Sequence, residues 1–245
     1  MNRSLTWINP DDPLPPTEQA MTLLEGANGL LAAGTDLSSN RLIEAYTRGI
    51  FPWFSRGEPV LWWTPDPRMV LLVDEFRASK SLRKTIRKAL QDASFEIRTD
   101  QHFESVMRHC AGPRAQQSGT WISPPMIKAY RELHTLGIAH CVTAHRGDQL
   151  LGGLYCVAIG KMVFGESMFS HATDGSKLAL AALVGWLRFH RAMVIDCQQR
   201  TSHLASLGAK EISRKEFELM VRELTGQSFL PWSDSPPNRT DLMSF

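Results

Sequence analysis

The chain has 245 residues, 43% of them hydrophobic and 21% charged, proportions that suit a soluble globular protein able to bury a sizeable core in one or two domains. A formal net charge of only +2 means that any attraction to nucleic acid must come from a local patch. Four cysteines, Cys110, Cys141, Cys156 and Cys197, stand far apart with no CxxC pair, which argues against a zinc ribbon or a disulfide scaffold and suits a reducing cytoplasm.

The opening stretch MNRSLTWINPDDPLPP has no basic segment followed by an apolar one, so no signal peptide is expected. It reads as an extended, proline-rich lead into short elements. The span DLSSNRLIEAYTRG carries helix signals: Asp36, Ser38 or Ser39 as cap, an apolar stripe of Leu42, Ile43 and Tyr46, and Gly49 as stop. Next comes GIFPWFSRGEPVLWWTPDPR, residues 49–68, with Phe51, Trp53, Phe54, Trp62 and Trp63 interrupted by prolines and glycines, so it cannot be a regular helix. RMVLLVDEF reads as a strand and RASKSLRKTIRKAL, residues 77–90, as a strongly amphipathic helix. The pattern breaks into a loop near Gly112-Pro113 and at 116–119. A helix follows at SPPMIKAYRELHTLG, with Ser123 as candidate cap, Pro124 at its first position and Gly137 at its end. AHCVTAHR, QLLGGLYCVAIG and MVFGESMFS read as three antiparallel strands joined by tight turns at Gly147-Asp148 and Gly160-Lys161. The helix SKLALAALVGWLRFHR contains the longest apolar stretch, too short to span a bilayer. It leads into a buried strand, AMVIDC, a short segment over 202–208, and a last helix, SRKEFELMVREL. A strand meander, a helix, a strand and another helix are the order of acetyltransferase-like (GNAT) domains.

Three constellations have chemical potential. Arg77, Lys80, Arg83, Lys84, Arg87 and Lys88 form a run without an acid, and at helical spacing they fall within roughly 140° of arc, opposite Leu82, Ile86 and Leu90. Such a face is either simply solvated or binds phosphates; the lack of interspersed glutamates to relieve the repulsion favours phosphates. Glu166 lies in GESMFS among apolar neighbours, where an acid is costly unless it is paired, faces a cleft, or points to solvent from a strand end. Asp196 and Gln198, in DCQ at the end of an apolar strand, are two apart, so alternation puts both on one side, either in a binding crevice or as a cap for the next helix. The eight histidines show no HExxH or ligand-spaced cluster, so a metal site is not expected. No phosphate-binding GxxxxGK[ST] or GxGxxG occurs, and Ser167 and Ser170 lack a GxSxG elbow. The single glycine of MFSHATDGSK does not match the pyrophosphate loop of acyl-CoA acetyltransferases.

Together, NGLLAAGTDLS, RGIFPWFSRGEPVLWWTPDPR, GTWISPPMIKAYRELHTLGIAH, LLGGLY, GESMFS, SK, IDCQ and HLASLGAKEISRKEF closely resemble the leucyl/phenylalanyl-tRNA–protein transferase family, in the family's order and over most of the chain. The resemblance implies a mixed α+β fold: a small N-terminal α/β domain, residues 1–70, packed on a GNAT-like C-terminal domain, residues 71–245, with a mixed, largely antiparallel sheet. It implies a cytoplasmic enzyme that moves leucine or phenylalanine, less often methionine, from Leu-tRNA or Phe-tRNA to the α-amine of proteins with N-terminal Arg or Lys, marking them for degradation. No metal, organic cofactor or membrane is called for, because the ester arrives already activated.

The resemblance also implies residue roles. Gln198, oriented by Asp196, is the catalytic position, though a neutral amide is a very poor base and a hydrogen bond orienting the amine lone pair is the more physical reading. Glu166 meets the cationic acceptor. Trp53 and Trp121 correspond to tryptophans of the aminoacyl-adenosine site, while Phe51, Trp62 and Trp63 are expected to be packing. Leu154, Val163, Met168 and Leu180 line the side-chain pocket, and Ser170 belongs with the substrate-binding set. Lys80, Arg83, Lys84, Arg87 and Lys88 meet the tRNA acceptor stem. Cys156, where glycine is usual, is expected to tighten its strand, and Gly175, in place of a common alanine, to loosen the start of its helix. Two rival readings remain, an aminoacyl-tRNA-dependent ligase of cell-wall peptides and a non-catalytic tRNA-binding module.

Overall fold

The stretch QLLGGLYCVAIG is apolar at consecutive positions, so as a strand it needs a covering layer on both faces. The computed structural model, which describes residues 5–112 and 120–245, supplies both layers. The larger sheet has seven strands: β5 (Arg68–Leu72), β6 (Phe95–Thr99), β7 (Ala139–Arg146), β8 (Gln149–Ile159), β9 (Met162–Ser170), β10 (Val194–Gln198) and β11 (Lys210–Ile212), in the order β11-β5-β10-β9-β8-β7-β6. Every neighbouring pair is antiparallel except β9 and β10, which run parallel on either side of the crossover helix α5 (Gly175–Phe189). The meander, helix and returning strand thus stand in the order expected, and the sheet is mixed and largely antiparallel.

Alternation along β8 divides the core in two. Tyr155, Val157 and Ile159 point into one half, where Leu42 and Tyr46 of α1 (Ser39–Thr47), Met107 of α3 (Phe103–Cys110), Tyr130 of α4 (Pro124–Thr135) and Phe217 of α7 (Arg214–Thr225) meet them. Leu154, Cys156 and Ala158 point into the other, against α5 and the apolar side of α2 (Lys80–Gln91). Helix α5 has almost every side chain buried, which explains its nearly uniform apolar sequence. Among the described residues no helix is long and apolar enough to cross a membrane.

The smaller sheet, in the order β1-β2-β4-β3, comprises β1 (Thr6–Ile8), β2 (Leu30–Gly34), β3 (Phe51–Pro52) and β4 (Val60–Trp63). The boundary expected after residue 70 falls inside β5, a strand of the larger sheet. The proline-rich lead is tied to α1 by two arginines. Arg41 donates to the carbonyls of Pro10 and Asp12 at 2.8 and 2.6 Å, and Arg48 to those of Leu14 and Pro15 at 2.8 and 2.7 Å. Ser38 caps α1, its hydroxyl accepting the Arg41 N–H.

Other expectations need adjustment. The basic helix begins at Lys80, capped by Ser79, and Arg77 precedes it. Part of the expected loop at 112–119 lies outside the described residues. Gly175 does not loosen its helix: a Cβ there would lie 2.0 Å from the Leu151 carbonyl oxygen, so the glycine lets helix and strand touch. Strand β6 and helix α3 were not expected, although Phe95 and Ile97 alternate with charged residues and Phe103, Val106, Met107 and Cys110 recur at helical spacing.

Gly208 has φ +101°, and a Cβ on it would sit 2.3 Å from the Glu75 carbonyl oxygen. Gly208→Ala is therefore expected to lower stability by about 2 kcal/mol or more in thermal unfolding. Gly147→Asn, at a left-handed turn position with open space around it, should stay within about 1 kcal/mol of the parent.

Candidate active site

Strands β9 and β10 pair where Val163 and Phe164 face Ile195 and Asp196, and each then carries an irregularity. In β9, Tyr155 pairs Ser167 and Cys156 pairs Gly165, leaving Glu166 as the extra residue of a bulge. In β10, Asp196 pairs Val70 and Gln198 pairs Met69, so Cys197 is the extra residue and Gln198 takes a left-handed φ of 61°. Simple alternation therefore does not explain why Asp196 and Gln198 act together. The two facing bulges do, because they aim Glu166 and Gln198 at each other: Gln198 Nε2 donates to Glu166 Oε1 at 3.2 Å.

Asp196 is fully buried and forms a two-pronged ion pair with Arg68, whose Nε and Nη2 lie 2.8 and 2.7 Å from its oxygens. Its Oδ1 also accepts the backbone N–H of Gln198 at 2.9 Å, which holds the bulge. Arg68 spends its remaining Nη1 on the Gly49 carbonyl at 3.0 Å and lies between the Phe51 and Phe217 rings, 4.8 and 4.4 Å from their centroids. Neither Asp196 nor Gln198 caps the next helix, α6 (Ser202–Ser206); Thr201 does. The cap alternative therefore fails.

Glu166 does not point freely to solvent either. It accepts the Tyr46 hydroxyl at 2.6 Å and the Tyr130 hydroxyl at 3.2 Å, and the two hydroxyls also hydrogen-bond each other. Burial pushes the Glu166 carboxyl up to about 7; the tyrosine hydrogen bonds oppose the shift, Asp196 adds to it and Arg68 opposes it. Burial and the Glu166 charge push both tyrosines well above their ordinary range, so they remain neutral donors. Sequence reasoning missed these partners. Arg68 and Tyr130 lie inside motifs quoted for the resemblance, and Tyr46 was visible only as one ring of an apolar stripe.

Glu166, Asp196 and Gln198 form one wall of a cavity of about 400 Å³. Leu154, Met168 and Leu180 line it as expected positions, joined by Leu71, Leu183 and Ile195. Trp53 and Trp121 also face it, Trp53 with 40% of its surface exposed. Val163 and Ser170 do not. Val163 is wholly buried beside Ala158 and Ile195 because alternation turns it toward the α5 core, and Ser170 Oγ accepts the Ser176 N–H at the start of α5.

In the aromatic block, β4 alternation sends Trp62 into the core and Trp63 outward, where its ring lies 5.5 Å from Trp53 and its Nε1 donates to the Trp53 carbonyl. Phe51 packs on Arg68 and also lines the cavity, so it is not packing alone. Lys80, Arg83, Lys84, Arg87 and Lys88 are all exposed on α2 while Leu82 and Ile86 are buried. Among the described residues, none of the five is in an ion pair.

A family model described as leucyl/phenylalanyl-tRNA protein transferase matches residues 70–222, and one for the N-terminal domain of that transferase matches residues 35–66. The chain belongs to this family. The leucyl/phenylalanyl-tRNA–protein transferase of Paraburkholderia phymatum is 54% identical over 239 residues, covering 97% of this chain and 98% of that one. The corresponding transferase of Paraburkholderia phytofirmans is 56% identical over 227 residues, covering 92% and 93%. Among solved structures, L-PGS from Bacillus licheniformis overlays with a TM-score of 0.38 at 8% identity, covering 83% of this chain and 74% of that one. Membership makes the chain an aminoacyltransferase that uses aminoacyl-tRNA.

Two measurements probe the site's physics. Arg68→Ala leaves Asp196 buried without its cation and should cost about 3–5 kcal/mol in urea unfolding, with part of the loss recovered on adding Asp196→Ala. Because the Glu166 carboxyl is raised from 4.5 to about 7, its charging in the fold is unfavourable, and the penalty accumulates as pH rises between those values. Glu166→Gln should therefore gain stability relative to the parent across that window and show a constant difference above it, read by denaturation at a series of pH values.

Proposed function

We propose that the cavity holds the leucyl or phenylalanyl side chain of an aminoacyl-tRNA (methionyl less often) while the wall formed by Glu166 and Gln198 receives the α-amine of a protein beginning with Arg or Lys. The observation that carries this reading is the contact between Glu166 and Gln198 on the polar wall of a largely apolar cavity. Leu154, Met168 and Leu180 surround the acyl side chain, and methionine and leucine adapt to both leucine and phenylalanine. Trp53 and Trp121 stack with the terminal adenosine, a contact worth about 1–3 kcal/mol per base. The exposed cations of α2 hold the acceptor stem through its phosphates, setting orientation rather than reading bases.

The reaction is aminolysis of an ester. An incoming α-ammonium, with a pKa of roughly 7.7–8.0, must lose a proton before it can attack. Transfer to an ordinary glutamate of pKa about 4.3 would be uphill by about 5 kcal/mol, whereas transfer to a carboxyl near 7 costs about 1 kcal/mol. Glu166 is thus the better proton acceptor, and an amide is far worse. Gln198, with its Nε2 committed to Glu166, presents its carbonyl oxygen to a remaining amine N–H and aims the lone pair at the carbonyl carbon. The C–N bond forms, the nitrogen passes its second proton to the ribose oxygen as the C–O ester bond breaks, and Glu166 releases its own proton to solvent. Because the ester is already activated, the balance needs no ATP.

The cationic side chain of an N-terminal Arg or Lys suits an anionic wall, and the product would carry a degradation signal. Purified protein should move labelled leucine from Leu-tRNA to an Arg-initiated peptide without ATP. Tight, salt-sensitive tRNA binding with no transfer would overturn the reading in favour of a binding module, and transfer to a cell-wall peptide alone would favour the ligase. Gln198→Ala should lower kcat by about 10²-fold or more with little change in KM for tRNA, Trp53→Ala should mainly raise that KM, and Glu166→Gln should abolish a limb of the pH profile near 7.

A further inference from the structure

We propose that Lys177 and His203 form a subsite for the phosphodiester on the 5′ side of the terminal adenosine, bridging the basic face of α2 to the cavity; the proposal rests on the aminoacyl-tRNA reading above. Lys177 sits in the first turn of α5, where the helix macrodipole disfavours a cation and the Asp174 carboxylate before the helix offsets that cost. It precedes the cavity-lining Leu180 by three residues and so is its neighbour on the helix surface, one turn nearer the start of α5.

That turn is fastened to the basic helix. Thr85 of α2 donates to Asp174 Oδ2 at 3.0 Å, and Asp174 Oδ1 accepts from Lys177 Nζ at 2.8 Å. Asp174 takes a left-handed φ of 61° to reach both, with its own side chain only 8% exposed. The Lys177 ammonium remains one third exposed and uses one of its three protons on Asp174, leaving two for an incoming anion.

His203 approaches from the other side. It is exposed on α6 and lines the cavity. The end of α6 is joined to the approach to α2, where the Arg77 N–H donates to the Leu207 carbonyl at 2.8 Å. Burial, and then the Lys177 charge, hold the His203 imidazole below its ordinary range, so near neutrality it offers a phosphate a neutral N–H donor. A polyanion running from α2 into the cavity meets these two donors between the face that grips it and the pocket that takes its acyl group.

The test compares two donors that differ only in that phosphate: the leucyl ester of adenosine and the leucyl ester of the dinucleotide cytidylyl-adenosine, each with an Arg-initiated peptide. Wild type should use the dinucleotide ester with a kcat/KM at least about tenfold higher. Lys177→Ala should remove most of that preference while changing use of leucyl-adenosine less than about twofold, Lys177→Arg should keep it, and His203→Ala should lower use of the dinucleotide ester more than use of leucyl-adenosine. A preference retained in both alanine variants, or absent in wild type, overturns the subsite. Equal losses on both donors overturn it too, because they would mean a structural role. Failure of wild type to transfer from either ester or from Leu-tRNA would instead overturn the functional reading on which the subsite rests.

Discussion

A carboxylate with no solvent contact dictates much of this architecture. Asp196 lies where β9 and β10 part, and burying it is tolerable only because Arg68 meets both of its oxygens. Arg68 in turn requires a carbonyl from the end of α1, one aromatic face from β3 and another from α7. The small sheet, the large sheet and the last long helix are thus clamped at one guanidinium. The same carboxylate grips the Gln198 backbone, so the ion pair that holds the core also shapes the polar wall of the cavity.

A second carboxylate, Glu166, is handled in the opposite way. Among the described residues no cation touches it directly; neutral donors from α1, α4 and β10 surround it, which leaves it free to exchange a proton near neutrality. Two acids on neighbouring strands therefore have different chemistry because one has an arginine and the other has tyrosines and an amide.

Much of the larger sheet could be read from the chain alone, because the meander strands are long, apolar and punctuated by Gly-Asp and Gly-Lys turns. The basic face of α2 was equally plain, since helical period alone sorts its cations from Leu82 and Ile86. What escaped was whatever depends on pairing across the chain. A bulge leaves no composition signal, so period two was applied to Asp196 and Gln198 where it does not hold. Tyr46 looked like another core ring because its hydroxyl partner is remote in sequence. Val163 was misplaced for the converse reason: a motif position says nothing about which face of a strand a side chain takes.

The span between partners has a consequence for how the protein comes into being. Arg68 and Asp196 are 128 residues apart, and Tyr46 and Glu166 are 120 apart. Loops of that length must close before either carboxylate is satisfied, and non-local pairing of this kind slows folding. As the chain grows from its N-terminus, the first tyrosine waits for its carboxylate until β9 has been synthesised and the arginine for its own until β10 has. A nascent chain lacking β10 therefore has neither the clamp nor the contact between Glu166 and Gln198, and both can form only once Gln198 has been added.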